Sequence, residues 1–308
     1  MEFKIALSTV ILTLLYIVPG YVLCKSKKAS GDHLATLSAI LLYILAPCME
    51  ISSFIAMDYS FDNLKLMAGY FVASFLIQCL FMGLLFLIFK RKFEQAKYRI
   101  MNIGMVLGNV GFFGLPIVKA LFPDNPEVMC YSSIHVISMN ILVFTMGVYC
   151  LTAKKEYMTV KKAILNPAVI GMFIAVPLYI TGAGNYLPDM MINAVKLLGN
   201  MTTPVCMLIL GVRLATVEFK KLFMRPEIYL ICLGKMIIFP LFSYCLVYFL
   251  PIPYSFKACI VVLSGTPCAS VILNLAEIHH SEMELSANCI LVSTLLSFIT
   301  IPLITLLL

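Results

Sequence analysis

The sequence predicts an all-α integral membrane protein: ten transmembrane helices arranged as two inverted five-helix repeats, with broken, crossing helices 4 and 9. Three observations carry this expectation. Of 308 residues, 62% are hydrophobic and only 12% charged, against roughly a quarter charged in a soluble domain. Taking about 20 residues as the length that crosses hydrocarbon, apolar segments fall at roughly 3–24, 34–57, 64–89, 98–122, 130–151, 165–183, 190–212, 227–250, 256–278 and 284–307. Two of them, the fourth and the ninth, carry small polar residues and a proline in mid-span.

The first segment follows Lys4 and runs through Pro19-Gly20 to Cys24 with no small-residue cleavage site. It therefore reads as a span and not as a removed leader. Lys and Arg then fix the expected orientation. The loops after spans 1, 3, 5 and 7 hold sixteen of the twenty-two, among them Lys25, Lys90, Arg99, Lys155, Lys161, Lys162, Arg213 and Arg225. The positive-inside rule places these loops in the cytoplasm and both termini outside, in the cell membrane. The loop at 279–284, between spans 9 and 10, should share that side yet has no Lys or Arg.

The net charge of +7 is thus topological, and no nucleic-acid partner is expected. The eleven cysteines form no CxxC pair and lie almost all inside apolar segments. They read as small buried residues, with neither metal site nor disulfide framework implied. There is no HExxH, Walker loop or GxSxG, so neither an enzyme nor a cofactor is expected.

Span 4 contradicts itself. Pro116 has no N–H, so the carbonyl of Phe112 loses its helical partner; at membrane depth such backbone must be buried in protein or line a cavity. A break near Pro116 is expected. Gly104, Gly108, Gly111 and Gly114, spaced by 4, 3 and 3, predict one close-packing side. Asn102 and Asn109 fall on the other.

A basic stretch near the middle divides the chain into halves at 1–152 and 163–308. Pro47 matches Pro204 at an offset of 157 residues, and the same offset carries Asn109 onto Thr266, beside Pro267. Because each half has an odd number of spans, the second enters the membrane from the opposite side. An inverted repeat with paired discontinuous helices is the mark of a secondary transporter that binds substrate at the breaks.

The stretches GNVGFFGLPIVK at 108–119 and SGTPCASVILNLAE at 264–277, with Asn166-Pro167 and STLLSFITIP at 293–302, resemble the auxin efflux carrier family. That family includes bacterial permeases for malonate-like and other organic anions. The resemblance implies a scaffold of helices 1, 2, 6 and 7, a moving transport domain of the other six, and a homodimer through the scaffold. It also implies roles for Asn109, Pro116, Pro267 and Asn140. Glu50 departs from the family pattern.

The expected function is transport of a small organic anion (a carboxylate) by alternating access, proton-coupled or uniporter-like. Its alternatives are a sodium-coupled symporter of the bile acid type and a membrane receptor that binds without moving its ligand. The candidate substrate residues are Asn109, Pro116, Asn140, Thr266, Pro267, Ser270 and Asn274. Ser270, Asn274 and Glu277 share one helix face. Candidates for coupling are Glu50, Glu277, Lys235 and Gln78, with Glu277 and Gln78 as ligands in the sodium alternative. A charge in mid-bilayer costs about 2.5–3.5 kcal/mol on insertion scales. Glu50 is accordingly read as a proton carrier, and Lys235 as the partner of a carboxylate or of the anion. His135 and Asn200 read as packing groups.

Overall fold

The helix Phe61–Lys92 shows the solvent for which this chain is built. Ser60 opens it by accepting from the N–H of Asn63 at 3.5 Å. Val72, Leu76, Leu80, Leu84, Leu87 and Ile88 form its exposed side, while Ser74 and Gln78 are buried on the other. A soluble helix turns its polar side chains outward; an apolar exterior with polar groups buried behind it belongs in lipid.

The computed structural model describes residues 2–154, 156, 158 and 165–308, with only the backbone of Ala168. The expected topology cations Lys155, Lys161 and Lys162, and the start of the second half at 163, lie outside the described residues. Among the described residues seven helices are long and apolar enough to cross a membrane: α1 (Glu2–Lys25), α2 (Gly31–Ile55), α3 (Phe61–Lys92), α6 (Glu127–Thr152), α8 (Asp189–Thr216), α9 (Pro226–Val247) and α12 (Met283–Leu307). Between them lie shorter ones: α4 (Ala96–Gly104), α5 (Val110–Leu121), α7 (Pro167–Thr181), α10 (Tyr254–Ser264) and α11 (Ser270–Ile278). The described residues contain no strand, only an isolated antiparallel bridge between Gly108 and Cys268.

Small residues set the closest packing. A Cβ on Gly20 of α1 would run into the carbonyl of Leu208, and one on Gly211 of α8 into that of Ile17. The two backbones therefore touch, as glycine permits. Helix α1 packs on α8, α7 packs on α2, and α3 packs on α6.

Three prolines explain three irregularities. The wide π turns at Leu41–Leu45, Val110–Gly114 and Gly234–Ile238 are each followed two residues on by Pro47, Pro116 or Pro240. Each proline removes one backbone N–H, and the wider turn absorbs the lost bond. A fourth π turn, Val143–Gly147 in α6, has no following proline.

This corrects the expected break. The chain leaves helix between Gly104 and Val110, whereas Pro116 sits early in the regular part of α5. The carbonyl of Phe112, freed as anticipated, accepts the hydroxyl of Thr203 at 2.8 Å. The four glycines do not share a side, because the break rotates them apart. Added Cβ atoms would meet Ile231 at Gly104, Thr266 and Lys235 at Gly108, Val136 and Met49 at Gly111, and Leu263 at Gly114. Asn102 likewise parts from Asn109 and donates to the Met82 carbonyl at 3.4 Å.

Candidate functional site

Two interrupted stretches meet in the interior. The N–H of Asn109 donates to the carbonyl of Pro267 at 2.7 Å, and that of Ala269 donates to the carbonyl of Leu107 at 3.0 Å. These two bonds flank the Gly108–Cys268 bridge. Backbone groups left by the gaps α4–α5 and α10–α11 thereby satisfy one another, the condition for irregular chain at membrane depth. Four helix ends converge there: the C-termini of α4 and α10, and the N-termini of α5 and α11.

A cavity of about 610 Å³ opens beside the crossing. The first turns of α5 and α11 line it through Val110, Phe112, Ser270 and Val271, and α2, α6 and the start of α7 complete the wall. Its polar side chains are Glu50, Asn109, Asn140, Asn166, Ser270 and Asn274, set among Tyr43, Met49, Phe112, Met139 and Phe144. The volume and the mixed lining suit a small molecule. Three of the four π turns contribute lining residues: Leu42, Phe112 and Phe144. Such turns recur where a site must be shaped.

Asn109 is held by its backbone and leaves its side chain to the cavity. Its φ of −77° and ψ of 61° are non-helical, its carbonyl accepts from Phe113 and Gly114 at 3.1 Å each, and its amide Nδ2 is 4.0 Å from the Cys206 thiol. The side chains of Asn140 and Asn274 face the cavity with no hydrogen bond among the described residues. Glu50 is 1% exposed. Among the described residues neither of its oxygens has a partner at regular hydrogen-bond distance, and the Ser133 hydroxyl is the polar neighbour that faces it.

The structure thus brings together Glu50, Asn109, Asn140, Ser270 and Asn274, and leaves the other candidates outside the cavity lining. Pro116 lies beyond the π turn of α5, while Pro267 is spent on the crossing. Thr266 donates to the Leu263 carbonyl at 2.7 Å. Gln78 donates to the Ser74 carbonyl at 3.0 Å and to Ser138 at 2.9 Å. His135 has a packing partner in the Tyr70 hydroxyl at 3.3 Å, whereas Asn200, expected to be a packing group, is exposed. Lys235 has no carboxylate within ion-pair distance among the described residues. Thr203, Ser133 and Asn166 were missed; only Asn166, in the Asn-Pro pair, had left a sequence signal.

Glu277 stands at the end of α11 and pairs with Arg213 of α8 at 2.9 Å. The acidic 279–284 loop finds its reason nearby. Glu282 reaches Arg225 at 2.8 Å, and Arg225 lies 3.7 Å from Glu227, which also holds Lys97 at 3.0 Å. The loop supplies acid where its neighbours are basic.

Helices with lipid-facing apolar sides, enclosing a polar cavity at the meeting of interrupted segments, make a multi-pass membrane transporter. A family profile described as "Membrane transport protein" matches residues 5–305. The chain belongs to this family, that of the auxin efflux carriers. It is also similar to an uncharacterized transporter of Methanocaldococcus jannaschii, 23% identical over 308 residues and covering 97% of each chain.

Proposed function

We propose that this transporter carries a small organic anion across the cell membrane by alternating access, with Glu50 as its proton carrier. The observation that carries the reading is the cavity, where the N-termini of α5 and α11 and the buried Glu50 converge. Helix N-termini offer free N–H groups and about half a positive charge each, which suits a carboxylate without a fixed cation. Asn109, Asn140, Ser270 and Asn274 supply side-chain donors around it. A protonated Glu50 would enter with the anion, and the ionised form would return without it.

In this reading α4–α5 and α10–α11 are two broken spans, which makes ten spans in two halves, 1–152 and 163–308. The packing supports an inverted repeat: α1 on α8 is matched by α7 on α2 when the halves are exchanged. Thr202 also donates to the carbonyl of Leu45, its counterpart at the 157-residue offset, at 3.3 Å. Equivalent residues touch where a pseudo-two-fold axis passes. The cavity then lies between a scaffold of α1, α2, α7 and α8 and a moving body of the remainder, with a homodimer through the scaffold and both termini outside. Against the sodium alternative stand the pairing of Glu277 with Arg213 and the hydrogen bond of Gln78 to Ser138.

The test is uptake of labelled malonate and other small carboxylates into proteoliposomes, in sodium-free buffer, with an inward proton gradient imposed or absent. Gradient-stimulated uptake that Asn109→Ala removes is expected. Uptake of no carboxylate, with cationic or neutral solutes carried instead, overturns the substrate class.

A further inference from the structure

Lys235 is buried in the middle of α9, at 1% exposure. An ammonium at that depth without a carboxylate needs other compensation. Its Nζ donates to the carbonyl of Val106 at 3.0 Å and to that of Ser264 at 2.6 Å. It also stands 4.8 Å from the centroid of the Phe239 ring, within reach of a cation–π attraction.

Those two carbonyls are loose ends of helices. Ser264 is the last residue of α10, and Val106 lies in the turn after α4. Terminal carbonyls have no N–H of their own helix to accept, and each helix C-terminus carries about half a negative charge. Pairing at Gly108 and Cys268 forces the two ends together, so about one negative charge collects at a point where a single ammonium sits. Gly108 keeps the space for it: an added Cβ would meet Lys235 Nζ and Thr266 Oγ1. Converging backbone carbonyls from broken helices, with a hydroxyl oxygen beside them, are also the donors that coordinate a coupling cation in transporters.

We propose that Lys235 is a tethered cation at the crossing, occupying the position a free sodium ion would otherwise take, so that the transport cycle requires no sodium. This rests on the family assignment and not on the identity of the anion. It gives Lys235 a positioning role: the ammonium holds α4 and α10 end to end.

The experiment is thermal unfolding of the purified full chain in sodium, potassium and choline chloride, which needs no substrate and so stands or falls separately from the proposed anion. Wild-type protein should unfold at one temperature in all three salts. Lys235→Ala opens a hole the size of the lost side chain; it should unfold several degrees lower in choline and recover saturably with sodium or with methylammonium, which returns the missing group. Lys235→Met fills the hole without charge and should unfold lower with no recovery. Sodium-dependent stability of the wild type overturns the proposal, and this arm holds even if a variant fails to accumulate. So does a Lys235→Ala protein that unfolds like wild type in choline, or equal recovery of the Ala and Met variants, which marks a general salt effect.

Discussion

Arg213 Nη1 lies 2.9 Å from Glu277 Oε1, tying the end of α8 to the end of α11. If α8 belongs to the static body and α11 to the moving one, this bond spans the surface along which they slide. Both side chains are part-exposed, at 19% and 46%, and such a pair contributes at most about 1 kcal/mol. A pair that weak would bias such sliding without locking it. Glu277→Gln should leave the melting temperature nearly unchanged and uptake measurable, and the swap Arg213→Glu with Glu277→Arg should restore the wild-type rate. Complete loss of uptake in Glu277→Gln, with sodium dependence in the wild type, would return Glu277 to the role of ion ligand.

Asn109 makes its close bonds through its backbone. The crossing bond is 2.7 Å long, while among the described residues its side chain has only the 4.0 Å contact with Cys206. Asn109→Ala should therefore insert and fold normally while carboxylate uptake falls at least about tenfold, the effect of some 1.4 kcal/mol. Uptake assays on reconstituted protein, normalised to monodisperse material, check this.

Among the described residues Glu50 has no charged partner to lose, only the neighbouring Ser133 hydroxyl. Removing an uncompensated buried carboxyl is neutral or stabilising, so Glu50→Gln should melt at or above the wild-type temperature. If the carboxyl carries the proton, wild-type uptake rises as the outside is acidified, whereas the variant takes up substrate at a rate flat with pH and indifferent to the gradient. A variant with an unaltered pH profile removes Glu50 from coupling.

Gly108→Ala should lower stability by about 1–3 kcal/mol, the range for inserting a methyl group into full space, because Thr266 and Lys235 already occupy it. Gly69→Ala and Gly83→Ala are matched controls. Both lie in α3 with nothing within 4 Å of the added carbon, and there alanine is the better helix former by about 0.5–1 kcal/mol. Unfolding in detergent should separate the three variants by sign.

Spans were legible from sequence because hydropathy over about 20 residues is a local property. Asn109, Asn140, Ser270 and Asn274 were legible as polar residues with no reason to face lipid. The position of the break was not. Pro116 carries a strong local signal, but a π turn and a hydroxyl from Thr203 absorb its lost hydrogen bond. The true interruption depends on pairing with residues 267–269, far along the chain, which no window around residue 108 contains. The partners of Lys235 were hidden for a related reason. The sequence points to a carboxylate or the anion as its partner, and the partners are main-chain carbonyls, which sequence does not display.

The two bonds at the crossing also impose an order on biosynthesis. When α4 and α5 leave the ribosome, the carbonyl of Leu107 and the N–H of Asn109 have no acceptable place in hydrocarbon, because their partners are at Ala269 and Pro267. Each unmatched group costs several kcal/mol there. The stretch must wait, sheltered by the insertion machinery or held at the bilayer surface, until α10 and α11 arrive. The N-terminal half is therefore an unfinished object in the membrane, completed only by the last quarter of the chain.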